Sequence, residues 1–174
     1  AVLVPRPETE LLVEWALECL QAGLDHDVID LGTGSGAVAL AIRRARPQVR
    51  VLATDASAQA LAVAHDNARR LGLAISLAQG DWWAAAGAFR FALAVCNPPY
   101  VAANDSHLQA LRHEPLAALT PGGDGLSALA QVIGGAPAHL LPGAWLLLEH
   151  GHDQATAVQA LVWMRPWLSV AGTR

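Results

Sequence analysis

Asn97-Pro98-Pro99-Tyr100 is the segment whose residue types point most directly to chemistry. The two prolines carry no N–H and hold φ fixed. Asn97, preceding a proline, is pushed away from helical conformations. A strand that ends here therefore cannot run on into a helix, and its last carbonyls stay available. The tetrad offers the Asn97 side-chain oxygen, the Pro98 carbonyl and the Tyr100 ring. Those groups form a receptor for a planar –NH₂ group: two acceptors for its two N–H bonds and a π face for its plane. An amide or aryl amine is a poor nucleophile because its lone pair is delocalised. Accepting both N–H bonds raises the electron density on nitrogen and aims it at an electrophile, without a titrating base. The bland alternative is an ordinary Pro-Pro turn after a strand.

A second constellation argues against that alternative. Asp30-Leu31-Gly32-Thr33-Gly34-Ser35-Gly36 lies between a predicted strand and a predicted helix. Glycines let the chain turn sharply and let a ligand approach bare backbone, and the following helix offers unpaired N–H groups. Asp55 ends the next predicted strand, where a carboxylate can accept from both hydroxyls of a ribose. Loop and carboxylate together specify a nucleoside-containing cofactor without saying which. Gly32-x-Gly34-x-x-Ala37 also fits the dinucleotide fingerprint, and a tight turn without a ligand is the plain structural reading.

Both constellations need a scaffold that brings strand ends together. Val28–Leu31, Val49–Thr54, Ala74–Ala78, Phe91–Cys96 and Trp145–Leu148 read as buried strands. Between them, Ala37–Arg46 reads as a helix stopped by Pro47, and Ser57 caps a helix to Leu71 that Gly72 ends. Leu126–Leu141 reads as a helix interrupted by Gly134-Gly135 and Pro137, and a last helix starts near Asp153. Upstream, Leu11, Leu12, Trp15, Cys19 and Leu20 form one apolar face of a helix from about Thr9 to Leu20. Strands alternating with helices predict an α/β, doubly wound parallel sheet. In such folds ligands sit at the carboxyl ends of the strands, where both constellations fall.

Composition narrows the partners. With 174 residues and 53% hydrophobic content, the chain is sized for one domain and is too apolar to be disordered. The formal charge is −4 and all 11 Lys+Arg residues are Arg, so no lysine-rich basic stripe for nucleic acid is visible. The apolar runs Phe91–Cys96 and Ala144–Leu148 are too short to span a bilayer, and no secretory leader is recognisable. Cys19 and Cys96 are expected to be reduced, with Cys96 inert on its strand. Arg43, Arg44 and Arg46 read as a solvated helix face. His150-Gly151-His152-Asp153 reads as a surface loop, because it lacks the wider ligand set that zinc needs; no metal site is expected.

The tetrad and the glycine loop together resemble S-adenosylmethionine-dependent methyltransferases that modify planar amines. The narrower resemblance is to the peptide chain release factor glutamine methyltransferases, which methylate the Gln side chain of a Gly-Gly-Gln motif. It is carried by Val4-Pro5-Arg6-Pro7-Glu8-Thr9-Glu10, Asp30 to Gly36, Gly80-Asp81-Trp82, Asn97 to Tyr100, Glu114-Pro115, Gly122-Gly123-Asp124-Gly125 and Leu147-Leu148-Glu149-His150-Gly151. These stretches run in order over about Val2 to Gln154.

The resemblance implies a Rossmann-like fold with S-adenosyl-L-methionine on Gly32, Thr33, Gly34, Ser35 and Gly36. Asp55 would take the ribose and Trp82 the adenine. Asn97, Pro98, Pro99 and Tyr100 would grip the glutamine, with Asn97, Pro98 and Tyr100 acting in catalysis and Asn97 touching the cofactor too. Trp83 would be packing. Arg6, Glu8, Asp81 and Glu149 stay without assigned roles. A cytoplasmic monomer acting on release factors, without direct nucleic-acid or membrane contact, is implied. Residues 1–174 would be one incomplete catalytic domain: a leading segment and helix at 1–24, and the cofactor and substrate core at 25–174. The family's N-terminal helical domain and closing strands are not seen, and residues 162–174 depart from its pattern. Competing readings are an amino-methyltransferase acting on adenine in DNA or RNA, a non-catalytic cofactor-binding remnant, and a nicotinamide-dependent dehydrogenase.

Overall fold

The computed structural model describes residues 2, 6–20, 26–103 and 116–173. Strands β1 (Asp27–Leu31), β2 (Arg50–Asp55), β3 (Ser76–Gln79), β4 (Phe91–Cys96) and β5 (Leu140–Leu148) form one parallel sheet in the order β3-β2-β1-β4-β5. The helices are α1 (Pro7–Cys19), α2 (Ala37–Ala45), α3 (Ala58–Leu71), α4 (Ser127–His139) and α5 (Ala155–Trp163). A short 3₁₀ turn, Trp82–Ala86, lies between β3 and β4.

Alternation along the strands builds a core on each face of the sheet. Val28, Leu93 and Val95 point to one side, where they meet Leu12, Ala16 and Leu20 of α1 and Val38 and Ile42 of α2. Ile29, Leu31, Ala94 and Cys96 point to the other, against Trp83 and against Val132 and Ala136 of α4. Leu129 and Ile133 of α4 meet Val158 of α5 in a third cluster. Helices thus cover both faces, which is the expected doubly wound, Rossmann-like architecture. Chain order reverses at β1, with β2 and β3 on one side of it and β4 and β5 on the other. The loops leaving β1 and β4 therefore open a crevice between them, the ligand position of this architecture.

Local signals set several boundaries. Ser57 caps α3 by accepting from the Ala60 N–H, and Gly72 ends it in the left-handed conformation. Pro7 sits in the first turn of α1, where its missing N–H costs nothing, so this helix begins before Thr9.

Elsewhere packing overrode the local pattern. α4 runs unbroken through Gly134, Gly135 and Pro137. The Trp83 ring lies so close to Gly135 that a Cβ there would overlap it, so glycine here admits a neighbour rather than ending the helix. β5 begins at Leu140, earlier than expected, and reaches Trp145 through a register shift opposite Phe91–Leu93. Among the described residues β5 pairs on one side only, and such a strand tolerates Pro142 and an irregularity of this kind. Leu11 is 40% exposed and falls outside the apolar face; Ala16 is the residue buried there. Arg44 is exposed as expected, but Arg43 on α2 and Arg46 just past it are half-buried. Arg43 donates to the carbonyls of Ala74, Pro47 and Val49, and Arg46 to that of Leu17. Neither Cys19 nor Cys96 is joined in a disulfide.

Candidate active site at the carboxyl ends of the strands

Asp30, the fourth residue of β1, is 2% exposed and holds the glycine loop from beneath. Its Oδ2 accepts from Thr33 Oγ1 at 2.6 Å and from the Ala39 N–H at 3.2 Å, joining the loop to the first turn of α2. Burial pushes the Asp30 carboxyl up to about 6, and nearby Asp55 adds to this; the Thr33 hydroxyl and Ala39 N–H pull the other way. β2 supplies two more supports. The Thr33 N–H donates to the Thr54 carbonyl at 2.8 Å, and the Gly34 N–H donates to Asp55 Oδ2 at 2.9 Å. Asn67 of α3 donates to the Ser35 carbonyl at 2.9 Å.

The loop needs its glycines for two different reasons. Gly32, Gly34 and Gly36 all have positive φ, which side chains with a Cβ rarely adopt. Gly36 is also tight, since a Cβ would lie 3.1 Å from that of Ala64 on α3. At Gly34 a Cβ would meet nothing within 4 Å, so the backbone there faces open space.

Asp55 Oδ1 takes the Ser57 N–H at 2.8 Å. Each oxygen of this half-buried carboxylate thus has one backbone donor and capacity for another. Trp82, half-buried, is the one non-glycine residue with positive φ among the described residues. Its ring edge lies 3.5 Å from where a Gly32 Cβ would stand, which places an aromatic wall beside the loop. Of the residues expected to line the cofactor, Gly32, Gly34 and Ser35 are accessible while Thr33 and Gly36 are buried. Thr33 spends its hydroxyl on Asp30 and supports the loop from inside. The accessible backbone, the acidic acceptor at the end of β2 and the aromatic wall together fit a nucleoside with a flexible tail.

The tetrad leaves β4 across the crevice. Asn97 Nδ2 donates to Thr9 Oγ1 of α1 at 3.2 Å, and Thr9 Oγ1 donates to Glu149 Oε2 at 3.1 Å. Tyr100 Oη donates to Glu149 Oε1 at 3.1 Å. The Tyr100 carbonyl accepts from Gln154 Nε2 at 2.9 Å, and Gln154 Oε1 in turn takes the Gly151 N–H. Gly125, at φ +82°, packs so tightly that a Cβ would overlap the Tyr100 carbonyl. Part of the Tyr100 ring packs on the cluster between α4 and α5, so the tyrosine is tethered at both ends and presents a partial face. Pro98 is buried and Pro99 half-buried. Among the described residues, no side chain or N–H donates to the Pro98 carbonyl or meets Asn97 Oδ1. Neither of the two expected acceptors thus has a donor among the described residues. Cys96 is fully buried, and burial first, then the charges of Asp30 and Glu149, push its thiol well up; it is no nucleophile.

The structure thus gathers Gly32, Gly34, Ser35, Asp55, Trp82 and Asn97 to Tyr100 at the carboxyl ends of β1 to β4. It adds Asp30, Thr9, Asn67, Gly125, Glu149 and Gln154, whose supporting contacts no spacing argument supplied. Asp30, Thr9, Gly125 and Glu149 lie in stretches that carried the family resemblance, and Glu149 also ends the fifth predicted strand near the pocket. Trp83 is core packing, its Nε1–H given to the Val132 carbonyl. Asp81 is exposed just before the 3₁₀ turn. The expectations on Val4, Pro5, Glu114, Pro115 and the Glu8 side chain fall outside the described residues. Among the described residues, no group of three or more His, Cys, Asp or Glu is placed to hold a metal, and no helix is long and apolar enough to cross a membrane.

The methyltransferase small domain family matches residues 8–140. The chain belongs to that family. Among curated relatives, this methyltransferase domain is 54% identical to a release factor glutamine methyltransferase of Bordetella pertussis. That match covers 92% of this chain and 61% of the relative. A second release factor glutamine methyltransferase, from Xylella fastidiosa (strain Temecula1), is 53% identical over 98% of this chain and 63% of its own length. The domain therefore spans about three-fifths of the curated relatives it matches. Among solved structures, ribosomal protein L11 methylase from Lactobacillus delbrueckii subsp. bulgaricus superposes with TM-score 0.68 at 22% identity, covering 91% of this chain and 69% of that one. A T. thermophilus 16S rRNA methyltransferase in complex with AdoMet and guanosine gives 0.68 at 20% identity, covering 92% and 39%. Both share the fold seen here.

Proposed function

We propose that this methyltransferase domain transfers a methyl group from S-adenosyl-L-methionine to the side-chain amide nitrogen of the glutamine in the Gly-Gly-Gln motif of peptide chain release factors. One observation carries the reading: Asn97 Oδ1 and the Pro98 carbonyl stand as unpaired acceptors beside the glycine loop. That arrangement suits a planar –NH₂ donor, and the release factor glutamine methyltransferases at 54% and 53% identity point to a glutamine as its owner.

S-adenosyl-L-methionine supplies an electrophilic methyl group on a sulfonium. Gly32, Gly34 and Ser35 would line its methionine and ribose part, with Thr33 and Gly36 shaping the loop from within. Asp55 would accept from the ribose hydroxyls with the lone pairs that Gly34 and Ser57 leave, and Trp82 would pack on the adenine. Asn97 Oδ1 and the Pro98 carbonyl accept both N–H bonds of the substrate amide, which orients the nitrogen and raises its electron density. Pro99 and the open part of the Tyr100 ring bound the amide plane. The release factor would be a protein partner met in the cytoplasm by a monomeric enzyme. The −4 charge argues against a nucleic-acid substrate.

The test is a labelling assay with the protein, radiolabelled cofactor and an intact release factor. The expected result is label on the release factor and none on its Gln→Ala variant. Asn97→Ala should lower transfer by about 10²–10³-fold, the usual effect of removing one oriented polar contact at a reacting group. Cofactor affinity measured by calorimetry should fall far less than transfer, because Asn97 would be only one of the cofactor's contacts. Equal labelling of both release factors, or label in duplex DNA instead, overturns the assignment.

A further inference from the structure

We propose that Thr9, held by Glu149, fixes the polarity of the Asn97 side chain and so decides that this site takes an –NH₂ donor rather than a carbonyl or carboxylate. The substrate half of this statement rests on the glutamine reading above; the polarity of Asn97 does not.

The argument is a count of protons. A carboxylate only accepts, and each hydroxyl carries one proton. Glu149 lies 3.1 Å from the Thr9 hydroxyl through Oε2 and 3.1 Å from the Tyr100 hydroxyl through Oε1. Both hydroxyl protons are thereby directed at Glu149. Thr9 Oγ1 has only lone pairs left for its other neighbour, Asn97, at 3.2 Å. Of the two ends of that amide, only Nδ2 can donate, so Nδ2 faces Thr9 and Oδ1 is left as an acceptor. The opposite rotamer would set two oxygens against each other, and Thr9 is only 8% exposed, which leaves little room for water to relieve them. The usual ambiguity between amide oxygen and nitrogen is thus resolved by the network.

The three side chains come from α1, just past β4 and just past β5, so the tertiary fold sets the polarity. Thr9 and Glu149 act through Asn97 and are positioning residues. Glu149→Gln keeps the shape but introduces an –NH₂ that can donate to Thr9 or Tyr100. The Thr9 proton is then free to turn to Asn97, and the amide is no longer held with Oδ1 outward.

The experiment compares the protein with Thr9→Val, Thr9→Ser and Glu149→Gln in two readouts. The first is the ¹⁵N side-chain amide signal of Asn97 and its hydrogen exchange, which needs no substrate. Protection is expected in the parent and in Thr9→Ser, and is expected to be lost in Thr9→Val and Glu149→Gln. The second is kinetics on the release factor. For Thr9→Val and Glu149→Gln, kcat/KM should fall about 10–100-fold, the range for hydrogen bonds in a charged network. Thr9→Ser should stay within about threefold of the parent, and cofactor affinity should hold in all variants.

Equal impairment of Thr9→Ser and Thr9→Val would show that shape matters rather than the hydroxyl, and would overturn the proposal. So would an unchanged Asn97 signal in Glu149→Gln. If Thr9→Val does not fold, Glu149→Gln against Thr9→Ser carries the same decision. A parent protein that shows the protected amide but does not label glutamine overturns the substrate reading alone.

Discussion

The glycine loop and the tetrad face each other across one crevice, yet they are held in different ways. Hydrogen-bond partners of the loop come from Asp30, Thr54, Asp55 and Asn67, none more than 32 positions away along the chain. The described partners of the tetrad include Glu149, Gln154 and Thr9, which lie 49, 54 and 88 positions away. Strands β1 and β2 with their helices complete the loop's hydrogen-bond set. The tetrad is not complete until α1, β4, β5 and the segment around Gly125 have all docked. Non-local contacts form only after loop closure has been overcome, so the tetrad depends on the whole fold and the glycine loop on one part of it.

That difference can be broken from the substrate side. Gly125→Ala is expected to have the largest effect, because its Cβ would overlap the Tyr100 carbonyl and lie 2.9 Å from Gln154 Nε2, at a φ of +82° that alanine resists. Transfer should fall at least about 100-fold, with about 1–3 kcal/mol of stability lost to overpacking. Cofactor affinity measured by calorimetry should stay within about threefold, since the glycine loop does not depend on that contact. A comparable loss of cofactor binding would mean that the two sides are one cooperative unit.

Asp55→Ala sharpens the comparison from the other side. The Gly34 and Ser57 N–H groups lose their acceptor, and so would the ribose. The dissociation constant for the cofactor should rise about 10–100-fold, as expected for a charged acceptor. The Asn97 amide signal should not move, and a shifted signal would contradict the separation.

The smallest effect concerns Asp30 and pH. Its carboxyl titrates near 6 in the folded protein, above its ordinary range, chiefly because it is buried. As pH rises, the unfolded chain releases this proton first, so the folded state holds more protons between about pH 4 and 6. Stability from this group therefore declines across that window and is level above it. Asp30→Asn should remove that decline. Between about pH 4 and 6.5, the urea midpoint of the variant should rise relative to that of the parent. An identical slope in both would show that Asp30 is not the titrating group.

Much of this arrangement was legible in the sequence where the controlling physics is local. β4 and the tetrad lie where the apolar run and the two prolines predict, because Pro98 and Pro99 act on the backbone at their own positions. The Ser57 and Gly72 caps bound α3 as expected for the same reason. Local reasoning failed where a distant neighbour supplied the missing term. Gly134, Gly135 and Pro137 read as helix breakers, but Trp83 fills the space that Gly135 opens and α4 continues. Arg43 and Arg46 read as solvent-facing, but carbonyls of Ala74 and Leu17 capture them. Leu11 fits the helical stripe by spacing, but Ala16 takes the buried place.

By itself the sequence determined the alternation of strands and helices, the glycine loop, the acidic residue ending β2 and the proline-stiffened exit from β4. Each of these is a constraint on consecutive backbone angles or on side-chain period, and neighbouring residues suffice to impose it. Only the tertiary structure decided that Thr33 turns inward, that Glu149 receives both Thr9 and Tyr100, and that the Asn97 amide nitrogen turns to Thr9. Hydrogen-bond polarity is set by where each proton goes. Here the protons belong to residues on α1 and in the tetrad, and the carboxylate that takes them follows β5; the fold alone brings them together.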